Sequence, residues 1–209
     1  MLKGTPDDWL PRWLPHLRAS VGATGGAPVL ELGCGTGRDT EVLVAAGLSV
    51  AAVELLPAQM TQARERVPKG AVFHLQDLRA PFPIGEHAPG GVGAVLASLA
   101  LHYFSWPETL ALAARIRNVL MPGGLLLCRL NSVNDVHHGA GGDHPRIDPE
   151  DPHFLRVDGW DKRFFDRGAV ERIFASGWEW TGLEERTVMR YEMPKVLWEA
   201  ALRRAPGPA

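Results

Sequence analysis

The chain has 209 residues, 45% of them hydrophobic and 22% charged, with a formal net charge of −2. That length suits one compact domain, 1–209, able to bury a real core, and the near-neutral balance argues against a broad nucleic-acid footprint. Two cysteines, Cys34 and Cys128, point to no disulfide framework or CxxC redox pair, and no apolar run approaches the roughly 20 residues of a membrane span.

Met1 to Pro15 lacks the basic and long apolar regions of a secretory leader, so a cytoplasmic location is expected. Trp9 and Trp13 are four apart and would share a helix face. Residues 1–27 are read as an N-terminal helical cover over a ligand, with docking on a sheet as the other use of that face. Pro28 to Gly33 is a short apolar run ending in glycine and reads as a buried strand. Thr36 to Ala46 reads as a helix closed by Gly47, Ser49 to Leu55 as a second strand, and Pro57 to about Val67 as a helix with proline in its first turn. Ala71 to Asp77 is a third strand and Ala80 to Gly91 a Pro/Gly-rich loop. Val92 to Leu99 is a fourth strand, Pro107 to Leu120 a helix, Met121 to Gly124 a turn, and Gly124 to Leu130 a fifth strand. Ser132 to Lys162 shows no period and reads as a long loop; 131–163 is assigned as a substrate-side loop or lid. Arg167 to Ser176 reads as a helix, Trp178 to Val188 and Lys195 to Arg203 as two strands joined by a turn, and Ala205 to Ala209 as a frayed tail. The expected fold is α/β: a doubly wound, mostly parallel seven-stranded sheet with an antiparallel C-terminal edge hairpin and helices on both faces.

The glycine loop Gly33-Cys34-Gly35-Thr36-Gly37 follows the first strand. Glycines there let backbone approach a ligand, and the next helix offers free N–H groups. A dinucleotide fingerprint G-x-G-x-x-G needs glycine where Arg38 stands, so a pyrophosphate cradle is disfavoured, and no Walker-type loop occurs. Glu54 ends the second strand, where a carboxylate can accept ribose hydroxyls, and Asp77 ends the third, within reach of an adenine amine. Glycine turn and acids in register describe a site for a neutral or cationic nucleoside.

Val29 to Asp39 resembles motif I of class I S-adenosylmethionine-dependent methyltransferases. Glu54 falls on that family's ribose acid, Gln76-Asp77-Leu78 on its adenine position, Ala97 to Phe104 on motif IV, and Leu120 to Leu125 on the turn before strand five. The resemblance implies S-adenosyl-L-methionine as cofactor. It places Gly33, Cys34, Gly35 and Gly37 around the methionine part, with Glu31 steering the amino group. It also puts Glu54 and Leu55 at the ribose and adenine, Asp77 and Leu78 on the adenine edge and face, and Ser98 near the amino group through its backbone. The sequence Ala97-Ser-Leu-Ala100 differs from the Asn/Asp-Pro-Pro-Tyr of amino-directed DNA methyltransferases, and no Pro-Cys nucleophile occurs there. The small-molecule branch, including tellurite-resistance-like enzymes, is the better match. A small-molecule acceptor is therefore expected, with RNA or protein methylation, or a non-catalytic binding module, as the alternatives. Oligomeric state is left open.

Methyl transfer from a sulfonium asks chiefly for alignment and exclusion of water, with a proton acceptor for some substrates. Candidates are His102 and Tyr103 after strand four and Asn131, Asn134, Asp135, His137 and His138 after strand five, with His102, Tyr103 and His137 preferred. The set His137, His138, Asp143, His144, Asp148 and His153 matches no H-E-x-x-H or Cys/His spacing, so no metal is assigned and a mobile lid is preferred.

Overall fold

Short apolar runs separated by helices assemble into one twisted sheet in the computed structural model, which describes residues 5–85, 88–189 and 191–206. In chain order the elements are β1 (Thr5–Pro6), α1 (Trp9–Ala23), β2 (Val29–Leu32), α2 (Arg38–Ala45), β3 (Val50–Glu54), α3 (Pro57–Arg66), β4 (Ala71–Leu75) and β5 (Val92–Ser98). They continue with α4 (Trp106–Val119), β6 (Leu120–Asn131), β7 (Phe154–Val157), β8 (Trp160–Arg163), α5 (Arg167–Ile173), β9 (Trp178–Met189) and β10 (Lys195–Arg204).

The strand order is β1-β9-β10-β6-β5-β2-β3-β4. Neighbours from β4 to β6 are parallel, whereas β10 runs antiparallel to both β6 and β9. This is the doubly wound sheet with an antiparallel C-terminal pair that the sequence implies, widened by the two-residue β1 alongside β9. Winding goes outward both ways from β2 and β5, so the crevice beyond their carboxyl ends is the topological switch point.

Both faces of the sheet are covered, which is why the strands read as continuous apolar runs rather than alternating ones. Along β5, Val92, Val95 and Ala97 face one core with Leu112 and Ile116 of α4 and Val170 of α5. Ala94 and Leu96 face the other, with Leu17 and Val21 of α1 and Leu43 of α2. A small third cluster, Leu155, Val157 and Phe164, lies under the β7–β8 hairpin.

Three expectations change. Helix α1 is a layer of the fold, not a cover: Trp9, Leu10 and Leu17 are buried against the sheet, and no residue from 5 to 27 lines the main cavity. Helix α2 starts at Arg38 rather than Thr36, because Gly37 sits at φ 78° in the left-handed region before it. The segment 132–162 is not a structureless loop; it contains a 3-10 turn at 136–138 and the β7–β8 hairpin. Met1–Gly4 of the expected cover, Glu86 and His87 of the Pro/Gly loop, and Gly207–Ala209 of the expected tail lie outside the described residues.

Candidate active site

A cavity of about 850 Å³ opens at the switch point, walled by the ends of β2, β3 and β5 and by the segment after β6. Two backbone crossovers meet there with almost no clearance. A Cβ built on Gly33 would lie 2.7 Å from the Cβ of Ala100, and Gly33 has φ 70°. Only glycine satisfies both constraints. Gly33, Cys34 and Gly35 line the cavity. Gly37 does not; it lets α2 approach α3, since a Cβ there would lie 3.0 Å from the Cα of Ala63.

Glu54 ties the glycine loop to β3. Its Oε2 accepts from the Gly35 N–H at 2.9 Å and its Oε1 from the Leu55 and Leu56 N–H groups at 2.8 Å each. Its Oε1 is thereby filled, while Oε2 keeps one lone pair at the cavity that Glu54 lines. Glu31 is 3% exposed and accepts from the Thr40 hydroxyl at 2.6 Å. Burial, then the charge of Asp39, pushes its carboxyl up to about 8. Glu31, Asp39 and Glu54 all line this end, an acidic pocket beside a buried carboxyl with no cation paired to it among the described residues.

Leu55, 48% exposed, and Leu78 offer apolar surface next to Asp77. Asp77 Oδ1 accepts from the Arg79 N–H at 2.8 Å, and Arg79 Nε donates to Glu108 at 2.7 Å, so the β4 loop is fastened to the start of α4. That bond holds the Glu108 carboxyl at about 2. Ser98 accepts from Arg129 Nε and Nη2 at 3.1 and 2.7 Å. The Arg129 side chain is fully buried, paired with Asp7 at 2.7 Å, and stacked over Trp9 at 4.3 Å. Next to Ser98, Leu99 adopts φ 58°, a left-handed conformation that costs a leucine of order 1–3 kcal/mol and is held by its N–H bond to the Arg129 carbonyl.

The far end is aromatic and basic. His102 and Tyr103 line the cavity with ring centroids 4.1 Å apart, and Tyr103 meets Trp160 of β8 edge-on at 5.8 Å. Burial first, then the charges of Lys195 and Lys162, hold the His102 ring well below its ordinary pKa, so it is neutral. Lys195, on β10, is buried 2.5 Å from Asp135 Oδ2, and burial lowers its pKa. Asn131 at the end of β6, with Lys162, Arg156 and Tyr191, completes this wall.

Residues 29–124 match the family described as a methyltransferase domain. A trans-aconitate 2-methyltransferase of Delftia acidovorans is 32% identical over 118 residues, 55% of this chain and 42% of the relative. A ubiquinone biosynthesis O-methyltransferase of Xanthomonas campestris is 31% identical over 121 residues, 58% of this chain and 48% of the relative. The match thus spans less than half the length of these curated relatives. A solved S-adenosylmethionine-dependent methyltransferase from Mesorhizobium loti superposes with a TM-score of 0.68 at 21% identity, over 92% of this chain and 97% of the other. The fold is therefore that of this class.

Within residues 29–124 the structure gathers at one cavity all the site residues that the sequence singles out, apart from Gly37. Of the candidates after β6, His137 is exposed and off the cavity, while its neighbour His138 lines it. Among the described residues no three His, Cys, Asp or Glu side chains form a metal-sized group, and no helix is long and apolar enough to cross a membrane. Sequence reading missed Arg129, Trp160 and Lys195. A lone arginine inside Leu-Leu-Leu-Cys-Arg-Leu was the available signal, because a charge in a buried strand must be paired.

Proposed function

We propose that the protein is an S-adenosyl-L-methionine-dependent methyltransferase acting on a small-molecule acceptor. The observation that carries this is the acidic pocket at the switch point: Glu31, Asp39 and Glu54 around a glycine loop too tight for any other residue at Gly33. A buried carboxyl held protonated for want of a cation fits a ligand bearing ammonium and sulfonium charge. The cavity volume lies at the upper end of the roughly 300–1,000 Å³ of small-molecule sites, room for a donor and an acceptor together. The relatives' names, trans-aconitate 2-methyltransferase and ubiquinone biosynthesis O-methyltransferase, favour a small acceptor over RNA or protein.

S-adenosylmethionine, when bound, supplies an electrophilic methyl on a sulfonium whose departure leaves a neutral thioether. The backbone at Gly33, Cys34 and Gly35 would seat the methionine part, and Glu31 would face its ammonium. Glu54 would accept a ribose hydroxyl with the Oε2 lone pair its backbone bonds leave free. Asp77 would take the adenine amine, and Leu55 and Leu78 would sandwich the ring. The backbone after Ser98, anchored by Arg129, would border the amino group. Tyr103 and Trp160 would exclude water from the transfer zone. Isothermal calorimetry tests this: S-adenosylhomocysteine should bind and NAD should not. NAD binding without response to the sulfur nucleoside would overturn the assignment.

A further inference from the structure

The acidic end accounts for a methyl donor, but it leaves the groups at the opposite end unexplained. Asn131 is 2% exposed and His102 3%, yet among the described residues Asn131 Oδ1 and His102 Nδ1 have no hydrogen-bond partner. Buried polar atoms left so are costly unless a ligand or water satisfies them. Lys195 spends one N–H on Asp135, and no other bond from its ammonium occurs among the described residues. Lys162 keeps its side chain 18% exposed, and its ion-pair partner Asp158 is 83% exposed and 3.5 Å away, a pair that solvent screens. Lys195, Lys162 and His102 line the same cavity. Arg156 at the rim is cancelled by Asp161. Tyr103, Trp160 and Tyr191 supply the ring faces and edges of the same volume.

We propose that the acceptor is a small aromatic molecule carrying an ionised oxygen acid, a phenolate or carboxylate. Its ring lies by Tyr103 and Trp160 and its oxyanion faces Lys195 and Lys162. This rests on the methyltransferase reading. An ammonium with spare donors in a low-dielectric wall stabilises an oxyanion and repels a cationic amine. The Asn131 amide and the His102 ring are left to take a second polar substituent on the ring. The chemistry agrees. An oxyanion forms its bond to the methyl carbon as the carbon–sulfur bond breaks, the electron pair stays on sulfur, and no proton is released. No strong base is needed, and none faces this end: His102 is neutral with a depressed pKa and Lys195 is charged.

The test is calorimetric, on the full chain saturated with S-adenosylhomocysteine. Benzoate, salicylate and 4-nitrophenolate are compared with benzamide, benzyl alcohol and benzylamine. The anions should bind at least about tenfold more tightly than their neutral isosteres, and benzylamine should not compete. Lys195→Met strips a buried aspartate of its partner and risks unfolding, so Lys162→Gln carries the attribution. It should weaken the anions roughly 3- to 10-fold, leave benzamide unchanged, and leave S-adenosylhomocysteine binding intact. Equal binding of anions and isosteres, no binding by any anion, or an anion preference that Lys162→Gln leaves whole would overturn the proposal. Failure of S-adenosylhomocysteine itself to bind would instead overturn the methyltransferase reading.

Discussion

Glu31 carries its proton up to about 8 because burial, reinforced by Asp39, disfavours its charge. A cationic ligand reverses that balance, so below this value binding must first expel the proton. Affinity for S-adenosylhomocysteine, whose amino group is an ammonium, should therefore climb by up to about tenfold per pH unit from pH 6 to 8. Glu31→Gln should flatten the profile and lose roughly 10- to 100-fold at pH 8, the worth of a charged hydrogen bond. Calorimetry across pH checks both, and a flat wild-type profile would remove Glu31 from the ammonium site. The stability sign is opposite. The folded pKa lies above the unfolded 4.5, so this stabilisation is complete below 4.5 and is lost as pH rises through about 8. Urea midpoints of the wild type should fall from pH 5 to 8 more than those of Glu31→Gln. Arg129 makes a second residue-scale case: Arg129→Met should cost about 3–5 kcal/mol by breaking its buried ion pair with Asp7 and its hydrogen bonds to Ser98. Chemical denaturation measures it. Glu54 and Asp77 were legible because they stand at or just past the ends of β3 and β4, and Glu31 through the motif that carries the resemblance. The arginine's partners were not, because Asp7 and Ser98 meet it only through tertiary packing.

The β7–β8 hairpin is the element whose sequence signal was present and passed over. Asp158-Gly159 joins Val157 to Trp160 with φ 52° and 79°, the paired positive angles of a two-residue type I′ turn. Surrounding Gly, His, Asp and Pro hid it, and the flanks Phe154-Leu-Arg-Val and Trp160-Asp-Lys-Arg lack clean alternation because the hairpin rests on a small satellite cluster. The turn sets where Trp160 and Lys162 enter the cavity. A Cβ on Gly159 meets nothing within 4 Å, so Gly159→Ala isolates backbone strain of about 1–2 kcal/mol. Acceptor affinity should fall several-fold while S-adenosylhomocysteine affinity stays within twofold. Equal losses for both ligands would show that the hairpin serves the whole cavity rather than its acceptor end.

At the scale of the molecule, the doubly wound fold was legible because parallel strands covered on both faces leave unbroken apolar runs. Of the acceptor wall, His102 and Asn131 were candidates in the sequence, whereas Trp160 and Lys195 were not, because only the order β5-β6-β10 with the hairpin above it brings these distant residues together. Donor and acceptor halves meet over the switch point, where Gly33 passes Ala100. Gly33→Ala should drive the ends of β2 and β5 apart, lowering S-adenosylhomocysteine affinity by about 100-fold or more, as misplaced positioning groups do. Two costs are then separable. Ala100→Gly added to Gly33→Ala removes the 2.7 Å collision but leaves alanine at φ 70°, a residual of about 1–2 kcal/mol. The double variant should recover part of the lost affinity and part of the lost melting temperature, and never all of either. Calorimetry and thermal melts on the four proteins of this cycle read the coupling directly. A single variant that binds like the wild type would show that the close crossing does not set the site.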